Sequence, residues 1–453
     1  MNVTMLMQKT LFDKISVFRS LIHRLFASDT RRRLLNGALW GGFSVFFARL
    51  IVVGSSFFLA RILGKEGFGE YGAINATAGM LSSVAGLGIG HTVVKHIAEL
   101  KLTDPVRAGR ILALSSVVTW ISAGCYGAAF VVLAPWLATK TLAAPHLAPL
   151  LQISALTVTL GVLNSVQSAS LAGCEAYRQS SCISVGVGIL QSIMVVFGAY
   201  QWGLKGVVFA MVIGMVLTIF FTHLAVRKVF RQYNLRYVWQ DIKREGPVLV
   251  HYSLPAFLTL LFIGPVTWIT TAFLANQPNG YAELGILNAA TQWEGGIQLI
   301  AAVFCTALIP VMSEKAGKNY HAENYSVLKK SIKGMFLLSL PLIVILSVCS
   351  PIILAGYGAG FLEGRWTFIT LILTGAVIMW YYPLSNFLMA SGKVWRACLF
   401  HMLAGIAVVT LSWWFVHLGA VGIAVSRLIG NFLYFVLAFV YVFWGQARLA
   451  VKG

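Results

Sequence analysis

Charged residues are scarce in this sequence, and acidic residues are the scarcest of them. Only 11% of the 453 residues are Asp, Glu, Lys or Arg, whereas soluble proteins average about 25%. Hydrophobic residues make up 58% of the chain, and its mean hydropathy is +0.81. A set of soluble domains is therefore excluded. The composition predicts an all-α polytopic membrane protein.

The sequence also lacks the features of several kinds of site. Its six cysteines include no C-x-x-C pair, so neither a disulfide framework nor a zinc site is indicated. The longest polar interruption between apolar runs, residues 227–247, is too short for an extramembrane catalytic domain. We therefore expect that the protein is not an enzyme and carries no cofactor or metal.

Basic residues, in contrast, are plentiful. The 34 Lys and Arg against 14 Asp and Glu give a net charge of +20. In a membrane protein such an excess reflects loop topology and anionic lipid, so no nucleic-acid partner is implied. With the N-terminus inside, 27 basic residues fall in cytoplasmic segments and five in outer connections. Positive residues remain on the cytoplasmic side, so both termini are predicted to be cytoplasmic.

Apolar runs of about 20 residues, the length that spans a bilayer, occur twelve times. They cover residues 35–60, 71–94, 111–134, 147–172, 182–200, 206–226, 248–275, 283–310, 334–355, 367–390, 397–416 and 419–444. The predicted organisation is a basic amphipathic N-terminal segment (1–34), an N-lobe of spans 1–6 (35–226), a cytoplasmic linker (227–247), a C-lobe of spans 7–12 (248–445) and a cytoplasmic tail (446–453).

Three weak sequence matches relate the two halves of the chain. They pair residues 70–76 with 283–289, 172–178 with 390–396, and 203–206 with 419–422. Their offsets are nearly constant, which indicates a duplication. Since each half has an even number of predicted spans, the two lobes are expected to be parallel and pseudo-symmetric about an axis along the membrane normal.

The stretch from Leu59 to Gly72, preceded by Ala48-Arg49, resembles the opening of bacterial polysaccharide exporters. These are lipid-linked oligosaccharide flippases of the O-antigen type, in the multidrug/oligosaccharidyl-lipid/polysaccharide superfamily. The resemblance covers roughly residues 35–445 and implies two six-helix lobes around a central cavity. The related lipid II flippases share an Arg at the position of Arg49 but have more spans, so the count favours the polysaccharide branch. Span 1 has Ser55 and Ser56 where those relatives carry further cations.

Polar residues gather on single faces of three predicted spans. Residues three, four or seven apart share a helix face, and the residues expected to line the cavity are Asn164 on span 4, Gln298 on span 8, and Asn431 and Tyr434 on span 12. The alternative is packing between helices, where small and polar residues are common.

Three charged residues, Arg49, Glu294 and Arg427, lie deep within predicted spans. Counted at about 1.5 Å per residue, all three lie roughly 12 to 17 Å below the outer surface. A charge at this depth is costly unless it is paired or hydrated. We predict that Arg49 and Arg427 bind the diphosphate headgroup of the substrate, and that Glu294 couples transport to an H⁺ or Na⁺ gradient. A neutralised structural network is the alternative.

The resemblance implies a function: translocation of an undecaprenyl-diphosphate-linked oligosaccharide across the bacterial cytoplasmic (inner) membrane by alternating access. Its partners would be the lipid-linked glycan and membrane lipid. The resemblance points to glycan polymerase machinery as a further partner. A multidrug or cation antiporter of the same superfamily is the alternative, disfavoured because Glu294 is the one acid deep in a span. A membrane-integral enzyme is the third class, disfavoured by the short outer connections.

Overall fold

The computed structural model describes residues 29–85, 88–246, 263–316, 321–391 and 393–450. Across these residues all regular structure is helical. Eleven α-helices follow one another: α1 (Asp29–Ala85), α2 (Ile89–Leu100), α3 (Pro105–Trp136), α4 (Ala148–Gly173), α5 (Tyr177–Gln232), α6 (Ile263–Ala275), α7 (Gly280–Ala316), α8 (His321–Tyr357), α9 (Arg365–Ala390), α10 (Val394–Phe415) and α11 (Ala420–Ala450). Most of the predicted N-terminal segment, the start of predicted span 7 and the end of the tail lie outside the described residues.

Eight helical stretches in the described chain are long and apolar enough to cross a bilayer. Large apolar side chains also remain uncovered on the outside of the bundle, such as Phe58, Ile352 and Trp414, which are 61%, 77% and 70% exposed. Water disfavours such a surface, whereas lipid accepts it. The chain is therefore a multi-pass integral membrane protein.

The predicted count of twelve separate helices is not confirmed. Predicted span 1 from residue 35 and most of predicted span 2 lie in the single element α1, and spans 5 and 6 lie in α5. Each element contains a bend at a glycine with non-helical angles, Gly64 (φ 71°, ψ −178°) and Gly203 (φ 59°, ψ −141°). A positive φ is accessible to glycine without a Cβ clash, so the chain bends at one residue and the helices on either side meet there without a separate non-helical loop.

The predicted duplication has a structural counterpart at one of these bends. Gly419, which the sequence match pairs with Gly203, has φ 67° and ψ −143°, nearly the same backbone conformation. Both glycines stand at the entrance to the last long helical segment of their half. The two halves of the chain therefore repeat this local turn.

The helices pack into one bundle with three main groups of buried side chains. The largest group draws on both halves, including Leu59 and Phe68 from α1 and Tyr357 and Phe368 from α8 and α9. Two smaller groups each belong to one half, one around Ile97 and Val229 and the other around Leu384, Phe400 and Val442.

The two halves of the chain are joined at one end of the bundle. There Lys65 Nζ lies 2.9 Å from Glu363 Oε2, and Arg61 Nε donates to the carbonyl of Gly356 at 2.7 Å. Tyr281 Oη donates to the carbonyl of Leu142 at 2.7 Å. We call the end formed by these residues the joined end. The opposite end carries Lys101 and Arg107, which form ion pairs with Glu175 and Glu245 within the first half.

Candidate functional site

The candidate site begins with Arg49, which α1 presents to the backbone of α7. Arg49 Nη2 donates to the carbonyl oxygen of Thr291 at 3.3 Å and also to that of Gln292. The side chain is half-buried, and its Nε is shielded from solvent without a hydrogen-bond partner among the described residues. The guanidinium is therefore held by neutral carbonyl groups, which leave its positive charge uncompensated by direct contact.

A glycine on α7 makes room for this guanidinium. A Cβ atom at Gly295 would lie 2.3 Å from Arg49 Nη2, closer than real Cβ contacts occur. The neighbouring Gly296 has no atom within 4 Å of the same ideal position. The close approach of Arg49 to α7 thus requires glycine at position 295 but not at position 296.

Glu294 and Arg427 form the second part of the site. Arg427 Nη1 lies 3.7 Å from Glu294 Oε2, in an ion pair whose side chains are 14% and 7% exposed. Glu294 Oε1 accepts a hydrogen bond from Gln298 Nε2 at 3.1 Å, and Arg427 Nη1 lies 3.4 Å from Thr291 Oγ1. A buried carboxylate needs such partners because desolvation disfavours an unpaired charge.

The structure thus brings Arg49, Glu294 and Arg427 together from three helices, α1, α7 and α11. Thr291 connects them, since its carbonyl accepts from Arg49 and its hydroxyl contacts Arg427. Glu294 compensates Arg427 by direct contact and leaves Arg49 as the excess cation. The alternative of a neutralised network describes the Glu294–Arg427 pair, but the three side chains together carry one net positive charge.

Two of the four residues predicted to line the cavity join this cluster. Gln298 contacts Glu294, as described above. Asn431 lies one turn after Arg427 on α11, donating from Nδ2 to the Arg427 carbonyl at 2.8 Å and accepting at Oδ1 from Tyr381 Oη at 3.0 Å.

The other two do not join it within the described chain. Tyr434 is 1% exposed, and its ring stacks on His401 with centroids 4.1 Å apart, so it belongs to the packed interior of the second half. Asn164 donates from Nδ2 to Ser168 Oγ at 3.1 Å on its own helix α4.

Several aromatic residues around the cluster were not predicted from the sequence. Tyr381 on α9 orients Asn431. Tyr357, at the end of α8, is fully buried, with its hydroxyl 3.0 Å from Ser56 Oγ and 3.2 Å from Trp293 Nε1. A Tyr among apolar and aromatic residues gives no periodic pattern that would indicate a site. The Tyr357-Gly358 pair indicates only that a helix ends there.

The positive charge of the cluster can attract an anion. Guanidinium groups present several donors to carboxylate or phosphate oxygens and remain charged at any physiological pH. Across the described residues, no group of three or more His, Cys, Asp or Glu side chains is arranged to hold a metal ion.

The Gly-Gly pair gives a test of this geometry. Gly295→Ala should displace the Arg49 guanidinium from α7, whereas Gly296→Ala adds a methyl group where there is space. The obstructing atoms are the end of a flexible side chain, so they move away at little cost in stability. We expect Gly295→Ala to lower transport with little change in the melting temperature, because Arg49 loses its place against α7, and Gly296→Ala to leave both near wild type. Equal behaviour of the two variants would show that Arg49 does not lie against α7.

Comparisons with known proteins agree with a transporter. A curated Shigella flexneri protein named "Putative O-antigen transporter" is 24% identical over 363 residues, which cover 76% of this chain and 81% of that protein. A multidrug resistance transporter of the MATE family, solved in an inward-facing conformation, superposes with a TM-score of 0.75 at 16% identity, covering 89% of this chain and 95% of that one.

The lipid II flippase MurJ, solved in an inward closed conformation, gives a TM-score of 0.70 at 17% identity, covering 89% of this chain and 87% of that one. At these identities the two solved structures show that the fold is the one shared by MATE and MurJ transporters. The family model described as "Polysaccharide biosynthesis protein" matches residues 34–316, more than half of the chain. The chain therefore belongs to the polysaccharide biosynthesis protein family, whose fold it shares with multidrug and lipid II transporters.

Proposed function

We propose that this protein is a flippase that moves an undecaprenyl-diphosphate-linked oligosaccharide from the inner to the outer leaflet of the bacterial cytoplasmic membrane by alternating access. The observation that carries the proposal is the cluster of two arginines and one glutamate buried among α1, α7 and α11. A net positive site inside the bundle suits an anionic load. The family and the curated Shigella relative point to a glycan as the rest of that load. Glycan polymerase machinery would then take up the delivered glycan.

The proposed architecture has twelve membrane crossings in two six-helix lobes, residues 35–226 and 248–445. In this arrangement α1 and α5 each cross twice, turning at Gly64 and Gly203, and the second crossing of α1 continues through the left-handed Gly88 into α2. The paired turns at Gly203 and Gly419 support the two-lobe repeat.

The proposed orientation puts both termini in the cytoplasm and the joined end outside. The shared packing at the joined end would then close the outer side, which corresponds to an inward-facing state.

Cysteine labelling tests the orientation. Asn279 and Asn234 are both exposed and have similar backbone angles, φ 56° and 52°, so they form a matched pair at the joined and opposite ends. In a background without native cysteines, an impermeant maleimide added to intact cells should label Asn279→Cys but not Asn234→Cys. Lysed cells should show both. Labelling of both variants in intact cells would contradict the proposed topology.

Coupling to an ion gradient is assigned to Glu294, the carboxylate of the buried cluster. We infer that it binds H⁺ or Na⁺, or exchanges its arginine partner, as the lobes move. Glu294→Gln keeps an acceptor for Gln298 but removes the charge, so transport should lose its dependence on the gradient. Glu99→Gln, at a half-exposed position (53%) on α2, is the control. Unchanged gradient dependence in Glu294→Gln would exclude Glu294 as the coupling residue.

The function itself is testable in proteoliposomes. Purified protein should move a fluorescent polyprenyl-diphosphate oligosaccharide between leaflets, measured as protection of the fluorophore from an external reductant. A lipophilic cationic dye should not be transported. Dye transport without glycan movement would favour the antiporter alternative, and a change in the mass of the glycan lipid would indicate an enzyme.

A further inference from the structure

A second cationic site lies far from the Arg49 cluster, at the opposite end of the bundle. A cavity of about 550 Å³ opens there between the start of α8, the start of α10 and the end of α11. Its size falls in the usual range of ligand pockets, about 300 to 1,000 Å³. Tyr325, Lys393, Arg396, Phe400, Val440 and Tyr441 are among the residues that line it.

Two cations of this cavity share one aromatic ring. The Arg396 guanidinium carbon lies 4.4 Å from the centroid of the Tyr441 ring, and Lys393 Nζ lies 5.5 Å from the same centroid. Cation–π contact orients such side chains without neutralising them. The ring therefore holds two positive charges close together at the mouth of the cavity.

These cations differ from Lys101 and Arg107 at that end of the bundle. Lys101 pairs with Glu175, and Arg107 pairs with Glu245. Lys393 and Arg396, in contrast, have no carboxylate partner in the described part of the chain, and no described lining residue of the cavity is acidic. Like charges held together without a counter-charge favour an anion between them.

The remaining walls indicate what kind of anion fits. Val436 and Val440, one helical turn apart on α11, line the cavity and are 38% and 42% exposed on the outer surface of the bundle. Trp395 and Trp444 beside it are 69% and 64% exposed. Exposed Trp marks the interface between headgroups and hydrocarbon. The cavity thus has a cationic mouth at headgroup level and an apolar wall continuous with the lipid-facing surface.

We propose that this cavity, which we call the Lys393–Arg396 pocket, binds an anionic phospholipid of the surrounding membrane. Arg396 presents a planar donor pair to the phosphodiester oxygens, and Lys393 adds a second point charge. The acyl chains lie along Val436 and Val440 in the bilayer. Basic pockets between membrane helices on the cytoplasmic side are suited to such headgroups. This site does not depend on the transported glycan and stands whether or not the proposed function holds.

Native mass spectrometry of the purified protein, with dioleoylphosphatidylglycerol or dioleoylphosphatidylcholine added to the detergent, tests the proposal. The wild type should retain phosphatidylglycerol and not phosphatidylcholine. In the Lys393→Gln/Arg396→Gln double variant the apparent affinity for phosphatidylglycerol should fall by at least about 10-fold, because two charge-assisted contacts are lost. Lys228→Gln, which removes an exposed cation at the same end of the bundle, should bind like wild type.

Thermal unfolding in the same mixtures gives a second readout and a check on folding. Phosphatidylglycerol should raise the melting temperature of wild type and Lys228→Gln but not that of the double variant, while all three melt alike in phosphatidylcholine. The proposal is overturned if the double variant retains phosphatidylglycerol as wild type does, or if Lys228→Gln loses it equally. It is also overturned if inorganic phosphate stabilises the wild type as strongly, or if a polyprenyl diphosphate binds the pocket more tightly than phosphatidylglycerol and displaces it, which would make this a substrate site.

Discussion

Arg49→Ala should reduce glycan export by about 10-fold to 150-fold, because one charge-assisted contact to a phosphate contributes roughly 1.5 to 3 kcal/mol. Arg49 is the residue to remove because its charge has no carboxylate in direct contact: its described hydrogen bonds go to the carbonyls of Thr291 and Gln292. Arg49→Lys should retain intermediate export, since Lys supplies the charge but not the planar donors. Arg49→Glu should be the least active. Export is measured as surface glycan per unit of transporter in the membrane.

The fold of these variants should survive. Removing Arg49 leaves two backbone carbonyls that remain bonded within α7, and no buried carboxylate loses its direct partner. Ser55→Ala removes an exposed hydroxyl on the same helix. It is the control for the effect of a substitution in α1 itself. If well-folded Arg49→Ala and Arg427→Ala proteins, singly and together, exported at the wild-type rate, binding of the diphosphate by these arginines would be disproved.

Arg427 is a different case because its partner is buried. Arg427→Ala leaves Glu294, 7% exposed, without the cation 3.7 Å away. Breaking a buried pair in this way costs about 3 to 5 kcal/mol. Loss of export in that variant therefore mixes loss of substrate contact with loss of fold. The melting temperature of the Arg427→Ala/Glu294→Gln double variant, which removes both charges, shows how much of the effect is loss of fold.

The sequence located this cluster because helix geometry is regular. Counting residues from the predicted span ends placed Arg49, Glu294 and Arg427 in one layer, and a fixed rise per residue makes such counting transferable to the fold. The same periodicity did not identify which face meets which neighbour. Asn164 and Tyr434 lie on polar faces just as Gln298 and Asn431 do, yet in the described chain Asn164 bonds along its own helix and Tyr434 stacks on His401. Which face of a helix meets which neighbour depends on how the helices pack, and the hydropathy pattern carries no information about packing.

The count of twelve separate helices was not confirmed, because two helices can join at a bend and form one element. The polar stretch between predicted spans 1 and 2 is helical on both sides of Gly64, so the structure joins the two apolar runs in one bent element. The aromatic residues near the cluster were also not predicted, since neither Tyr357 nor Tyr381 carries a charge and Tyr381 lies within the aromatic run Trp380-Tyr381-Tyr382. Only the fold brings the Tyr357 hydroxyl to Ser56, 301 positions earlier in the chain.

Gly69→Ala and Gly285→Ala should each prevent closure of the joined end. A Cβ atom at Gly69 would lie 1.8 Å from the carbonyl oxygen of Tyr281, and one at Gly285 would lie 2.1 Å from that of Lys65. The obstructing atoms are backbone, so no side chain can turn away. Overpacking costs about 1 to 3 kcal/mol, enough to shift a two-state equilibrium by roughly 5-fold to 150-fold towards the state in which this end is open. Export should fall, because alternating access needs both states.

The reactivity of a cysteine at position 56 measures this shift in the equilibrium. Ser56 is 5% exposed, lies beneath the joined end and is hydrogen-bonded to Tyr357. In a background without native cysteines, Ser56→Cys should react slowly with an impermeant maleimide added outside cells, because the joined end covers it. Adding Gly69→Ala or Gly285→Ala should speed the reaction by at least about 5-fold, in line with the population shift. Gly79→Ala, on the same helix with nothing within 4 Å of its Cβ position, should leave the rate unchanged. If all three alanine variants labelled and exported alike, contact between the halves at Gly69 and Gly285 would not control access, and the site would have to open by another route.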